Sequence, residues 1–150
     1  MCYFLYFRNT ESSMSELYRF GVSLEKDLIK RFDELIEHKN YKNRSEALRD
    51  LIREDLVKES WEHDKEVAGA ITLIYDHHKR ELLNTITCIQ HDFQTLIMAT
   101  QHIHLDHNNC LEILAIKGNA RDTQNLVHKL KSIKGIKHCT LSMASTGKDI

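Results

Sequence analysis

Residues 102 to 110 read His102-Ile103-His104-Leu105-Asp106-His107-Asn108-Asn109-Cys110, a run that crowds imidazoles and a thiol into one short segment. In an extended strand alternate side chains share a face, so His102 and His104 point the same way and Ile103 and Leu105 are expected to face the core. The polar His107-Asn108-Asn109 segment can turn the chain back and stand Cys110 on a neighbouring strand, beside the two rings. Two imidazoles and a thiolate form a borderline-soft donor set that suits nickel, copper or zinc, and not calcium or magnesium. A lone His-x-His reads as well as a polar hairpin with incidental histidines. The cysteine that follows shifts the reading to a metal site.

The elements that must hold this cluster are bounded by composition. The chain has 150 residues, enough for one ordinary domain or two small ones, with 41% hydrophobic and 29% charged residues. A net charge of −1 gives no general attraction to nucleic acid, so any DNA contact must come from locally placed cations. Cys2, Cys88, Cys110 and Cys139 lack the spacing of a disulfide framework and read as free thiols in a reducing, cytoplasmic compartment. Ten histidines are the one compositional anomaly, and with no proline every break falls to glycine, asparagine and polar runs. The aromatic run from Cys2 to Phe7 is too short to span a membrane and has no basic segment before it. Residues 1–15 are set apart as an N-terminal tail, with Met14 an alternative start, and no membrane partner is expected.

Tyr18, Phe20, Val22 and Leu24 alternate with Arg19, Gly21 and Ser23, as in a strand with one apolar face. A helix is predicted over Asp27 to Lys39, through Leu28, Phe32, Leu35 and Ile36. After a break at Asn40-Tyr41-Lys42, the run Asn43-Arg44-Ser45-Glu46 starts a second helix, with Asn43 as cap and Glu46 reaching back. One strand and two helices in about forty residues bury too little surface to fold alone. Pairing the strands of two copies resolves this and makes 16–59 a ribbon-helix-helix domain. Its ribbon projects Arg19, Gly21 and Ser23 toward a major groove, where arginine can grip guanine. The start of the second helix, at Asn43, Arg44 and Ser45, offers free amides to a phosphate. The competing reading is an amphipathic module that merely dimerises.

Residues 60–66 are charged, enclose Trp61 near one end and read as a linker. From 67 to 150 the pattern is strand, helix, strand, strand, helix, strand. The strands fall at Val67–Tyr75, Thr100–Asp106, Cys110–Lys117 and Ile136–Met143, and the helices at Lys79–Ala99 and Arg121–Ile133, with Gly135 expected near the C-cap. That order is the ferredoxin-like βαββαβ unit, so the fold class is α+β. His38, His63, His77, His78, His128 and His138 are expected to be solvated. His107 is an alternative ligand, and Cys88 and Cys139 are expected as small buried residues.

The combination resembles the NikR family of nickel-responsive transcription factors from about Leu17 to the C-terminus. The resemblance rests on Arg19-Phe20-Gly21-Val22-Ser23, Asn43-Arg44-Ser45-Glu46-Ala47-Leu48-Arg49-Asp50, Gln90-His91, His102-Ile103-His104 and Cys110-Leu111-Glu112. It implies that the ferredoxin-like half is an ACT-type domain through which four chains associate as a dimer of dimers, flanked by two DNA-binding dimers. It further implies an inter-subunit Ni(II) site, with His102, His104 and Cys110 from one chain and His91 from another. Three nitrogens and one thiolate sulfur suit square-planar Ni(II). Arg19, Gly21 and Ser23 fall at the family's base-contacting strand positions, although Gly21 has no side chain with which to read a base. Glu46 and Asp50 match carboxylates that the family uses for a second cation site. Glu112 and Tyr75 are candidates to support the ligand imidazoles, since such rings usually donate their other N–H to a nearby acceptor.

The expectation is therefore a cytoplasmic, nickel-dependent regulator that binds palindromic operator DNA, represses nickel uptake, and is not an enzyme. The alternative is a ribbon-helix-helix regulator whose ACT-type half senses another metal or a small molecule. A zinc hydrolase is disfavoured by the absence of a helix-borne His-Glu-x-x-His or a glycine-rich phosphate loop, and no small organic substrate is expected.

Overall fold

The computed structural model describes residues 17–148, so the tail expected over 1–15 lies outside them. The chain divides into two compact units, one ending at Asn40 and the other beginning at Tyr41.

In the first unit, helix α1 spans Lys26–His38 and buries none of its residues. Ahead of it, Leu17 to Glu25 carries no strand. Tyr18, Phe20 and Val22 are 88%, 66% and 65% exposed. The strand expected over Tyr18–Leu24 is therefore not formed within one chain. A strand this short needs a ladder partner, and the unit supplies none among its described residues. Asn40 ends the unit with a positive φ of 57°, a conformation that asparagine tolerates better than most residues.

The second unit opens with α2, Arg44–Glu62. Asn43 caps it, its Oδ1 accepting the Glu46 N–H at 2.9 Å, while the Glu46 carboxylate accepts the Lys42 N–H at 3.1 Å. The reciprocal cap expected from the sequence thus reaches one residue further back. The stretch read as a linker, 60–66, contains the last turn of this helix. Trp61 within it is buried, and its indole N–H donates to the Ala144 carbonyl at 3.1 Å.

Next come β1 (Glu66–Tyr75), α3 (Arg80–Asp92), β2 (Ile97–His104), β3 (Cys110–Asn119), α4 (Ala120–Ser132) and β4 (Ile136–Ala144). The four strands form one antiparallel sheet in the order β2-β3-β1-β4, the ferredoxin-like arrangement. Val67, Ile71, Leu73 and Tyr75 of β1, and Cys110, Leu114 and Ile116 of β3, share the buried face and pack with Leu126 and Leu130 of α4. Gly135, between α4 and β4, has φ of 110°, where a side chain would be strained and a Cβ would lie 3.2 Å from Leu82.

The helix expected over Lys79–Ala99 is shorter, since α3 ends at Asp92 and a turn leads into β2 at Ile97. Phe93, Leu96 and Ile97 keep an apolar spacing that suits a helix, but Leu96 N–H bonds to the Phe93 carbonyl in the turn and Ile97 pairs with Ile116 in the sheet. Among the described residues no helix is long and apolar enough to cross a membrane.

Candidate metal centre

Strand register builds the site. On one side of β3, His104 stands opposite Cys110 and His102 opposite Glu112; on the other, Tyr75 of β1 stands opposite Cys110. Directly paired residues project to the same face. The two histidines therefore lie on the face that carries the core, at its open end, and Ile103 lies on the other. This corrects the expectation that Ile103 and Leu105 face the core, and Leu105 is 52% exposed. Alternation separates two faces, but a strand at the sheet's rim can turn its polar face inward where the helical cover stops.

The hairpin between these strands is set by Asp106, whose carboxylate accepts the Asn108 N–H at 2.7 Å and the Asn109 side-chain amide at 2.7 Å. Leu105 N–H closes the turn on the Asn109 carbonyl at 2.9 Å. The Asn109 side chain, followed by the Asn108 backbone N–H, holds the Asp106 carboxyl below its usual range.

The Cys110 Sγ is buried and lies 3.2 Å from His104 Nδ1 and 3.2 Å from His77 Nδ1. The donor atoms of His77, His104 and Cys110 all fall within 4.8 Å of one another. His77 was expected to be solvated. Instead it is half-buried over the thiol, because β1 ends at Tyr75, the residue paired with Cys110, and His77 follows two positions later. That register is the signal that could have found it. Burial, then the neighbouring His78 and His104, lower the His77 pKa. Burial, then the carboxylates Asp106, Glu112 and Asp76, raise that of the Cys110 thiol, so a metal entering here must displace a proton.

Behind His102 lies a polar chain. Tyr75 Oη is 3.3 Å from His102 Nδ1 and donates to Glu112 Oε2 at 2.6 Å, while Gln90 of α3 donates to Glu112 Oε1 at 2.8 Å. Glu112 is buried with both oxygens bonded. Burial, followed by the Glu112 hydrogen bond, pushes the Tyr75 hydroxyl pKa well up, so it stays a donor. Gln90 had no role assigned from the sequence. Its place beside His91 was the available hint.

His91 itself is exposed on α3 and, with Thr87, Gln90, Gln94 and Ile97, lines a shallow cavity of about 280 Å³. It does not join the His77, His104 and Cys110 group. His107 makes ring contact with His78, their centroids 5.0 Å apart. Cys88 is exposed rather than buried, on the outward side of α3, and Cys139 is half-buried.

Arg19, Gly21, Ser23, Arg44 and Ser45 are exposed. Asp50 accepts the Tyr41 hydroxyl at 2.5 Å, and that bond, with burial and the nearby acids, pushes the tyrosine pKa up to about 12. Glu46 is engaged by Lys42 N–H as described.

The donor chemistry fits a late divalent transition metal: the imidazoles of His104 on β2 and His77 in the turn after β1 flank the Cys110 thiol on β3, while His102 beside them is backed by the Tyr75 hydroxyl and, through it, the Glu112 carboxylate and does not join the three. Comparison with known proteins agrees. Residues 68–144 match the model of the NikR C terminal nickel binding domain, and residues 18–59 match ribbon-helix-helix proteins of the copG family. A protein named "Putative nickel-responsive regulator" from Syntrophus aciditrophicus is 58% identical over 90% of this chain and 98% of its own length. One so named from Chlorobium phaeobacteroides is 59% identical over 88% of this chain and 98% of its own, and one from Desulfovibrio desulfuricans is 51% identical over 91% and 99%. The chain belongs to the NikR family of nickel-responsive regulators.

Proposed function

We propose that this chain is a nickel-dependent DNA-binding repressor of nickel uptake, acting in the cytoplasm as a homotetramer on palindromic operator DNA. The observation that carries the reading is His104 paired opposite Cys110 with His102 on the same face, on strands whose partner residue Glu112 is bonded to α3. His102, His104 and Cys110 of one chain, with His91 of another, are the residues that would hold the metal. Ni(II) bound there would favour four strong donors, and these four side chains would offer them only when two chains meet.

The chain's own residues account for the coupling. Glu112 ties Gln90, the neighbour of His91 on α3, to the Tyr75–His102 contact. A change in the position of His102 is therefore felt at α3, the helix that presents His91. Ordering α3 raises the fraction of molecules able to grip both operator half-sites. By linkage, operator DNA must tighten nickel by the same factor.

In the DNA-binding dimer, Arg19 reads base edges, Ser23 contributes a hydroxyl, and Gly21 lets the backbone approach closely. Asn43, Arg44 and Ser45 bring the start of α2 to a phosphate. Glu46 and Asp50 are one turn apart and form the candidate second cation pair. The test is operator binding by the full chain with and without Ni(II), beside His102→Ala. Tight binding that requires nickel and is lost in the variant supports the reading. Nickel-independent binding of equal strength contradicts it.

A further inference from the structure

Residues 60–66 look like a linker in sequence, but the fold ties them down. Trp61, the chain's only tryptophan, is 3% exposed and belongs to the core around the sheet, with Val57 one turn earlier packed against that core. Its indole N–H donates to the Ala144 carbonyl at the end of β4. Gly69 of β1 faces the ring. A Cβ there would sit 3.5 Å from the indole and 2.6 Å from the Ser142 carbonyl oxygen of β4, so the close approach of the two strands under Trp61 requires glycine.

The turn that follows is fixed as well. The Lys65 N–H donates to the Ser60 carbonyl at 3.1 Å, and Asp64 holds a positive φ of 53°, which aspartate tolerates better than most residues. The Asp64 carboxylate accepts the Arg121 N–H at 2.8 Å, and the Lys65 carbonyl accepts the Ala120 N–H at 3.1 Å. Asn119 makes no side-chain cap, so the first turn of α4 is capped from the exit of α2. The Arg121–Asp64 ion pair, at 3.7 Å and open to solvent, adds little.

These contacts lie at one end of a 19-residue helix, about 28 Å long at 1.5 Å per residue. The other end carries Asn43, Arg44 and Ser45. β1 begins directly after the turn, at Glu66, and runs to Tyr75, whose hydroxyl lies 3.3 Å from His102 Nδ1. A helix clamped to the start of a strand that is paired on both sides moves with that strand. We propose that Trp61 and Asp64 are positioning residues that fix the exit of α2 to the sheet, so that α2 and β1 turn as one body and the sheet sets where the phosphate-gripping start of α2 lies. Nickel's effect on the sheet then reaches α2 without passing through a flexible joint. The clamp rests on contacts within one chain. Its part in the nickel response rests on the function proposed above.

The test uses the full-length protein and a double variant, Trp61→Phe with Asp64→Gly. Phenylalanine keeps an apolar ring and removes the indole N–H. Glycine keeps the positive φ and removes the carboxylate. Far-UV circular dichroism checks the fold, and a Ni(II) titration followed by thiolate absorption, without DNA, reads the metal site. Operator binding is then measured with and without Ni(II). The expected result is an unchanged nickel titration, while the factor by which nickel tightens operator binding falls about fivefold or more, the low end of ordinary coupling. Trp61→Phe with Asp64→Asn, which keeps an oxygen for the Arg121 N–H, should recover part of that factor. A folded double variant whose factor stays within about twofold of the parent, or which loses nickel binding in parallel, would overturn the proposal. If the parent itself binds operator equally with and without nickel, the proposed function fails. The clamp is then decided by time-resolved fluorescence anisotropy of Trp61 in the metal-free parent. Decay with overall tumbling alone supports it, and a dominant local component of a few nanoseconds, as in a free loop, overturns it.

Discussion

The two units of this chain treat their apolar residues in opposite ways. From Tyr41 onward, the sheet and its helices bury Ile71, Leu73, Leu114, Leu126 and Leu130 completely, or within 1% of it. Before Asn40, the same kinds of side chain stay outside: Phe20, Val22, Leu24 and Leu28 are 43–66% exposed, and α1 buries nothing. A hydrophobic pattern says which residues must leave water, but not which chain will cover them. The first unit carries the pattern of a half-structure whose other half is a second copy. The second closes a core around its sheet, yet α2, which opens it, leaves Leu51, Ile52 and Leu56 37–47% exposed, the same mark of a surface that this chain alone does not cover.

The contrast can be broken most forcefully in the core. Leu114→Ala should destabilise the second unit by roughly 2–5 kcal/mol, as for other buried leucines, in chemical denaturation compared at one fixed protein concentration. Phe20→Ala should leave that transition in place and instead abolish operator binding. If Phe20→Ala lowered the core transition as much as Leu114→Ala, the division of labour would be wrong.

Arg19→Ala should weaken specific operator binding by about 1–3 kcal/mol, the worth of a bidentate base contact. Relaxed discrimination at one base pair of the site, read in a binding assay on altered operators, distinguishes this from loss of a phosphate contact.

The metal site sharpens the contrast through protons. The Cys110 thiol is raised above its ordinary value of 9.0 by burial and nearby carboxylates, so in the metal-free fold it is protonated at neutral pH. Metal uptake should therefore release about one proton per site. Apparent affinity should climb up to about tenfold per pH unit, until pH reaches the thiol's own pKa. Calorimetry in buffers of different ionisation enthalpy reads the proton count directly, and a count near zero would mean that the thiol is not a ligand. In the metal-free chain the sign is the opposite: a raised thiol pKa contributes stability that is fully present below 9.0 and is lost as pH rises through the folded value.

The smallest effect belongs to the helix cap. Asn43→Ala removes the acceptor for Glu46 N–H and should cost about 1 kcal/mol, seen as a lower midpoint in thermal unfolding. An unchanged midpoint would mean that the start of α2 is held by other contacts.

Much of this was legible in the sequence because local chemistry dictated it. Asn43 and Glu46 announced the start of α2, and the Asn108-Asn109 turn announced the hairpin. The alternation in β1 and β3 gave a ferredoxin-like order that the sheet bears out. What could not be read depended on register. His77 looked like one more solvated histidine, since nothing local says that the residue two beyond Tyr75 overhangs Cys110. Cys88 looked apolar by position, but α3 turns that side outward. The facing of His102 and His104 was inverted for the same reason: alternation assigns two faces without saying which is covered.

The most direct test of the central claim is a Ni(II) titration of the metal-free protein followed by absorption, run beside Cys110→Ala and His91→Ala. A thiolate-to-nickel charge-transfer band that saturates at one metal per chain, disappears in Cys110→Ala and changes in His91→Ala is the predicted result. A band that is absent from the parent protein, or identical in His91→Ala, would contradict a nickel site shared between chains.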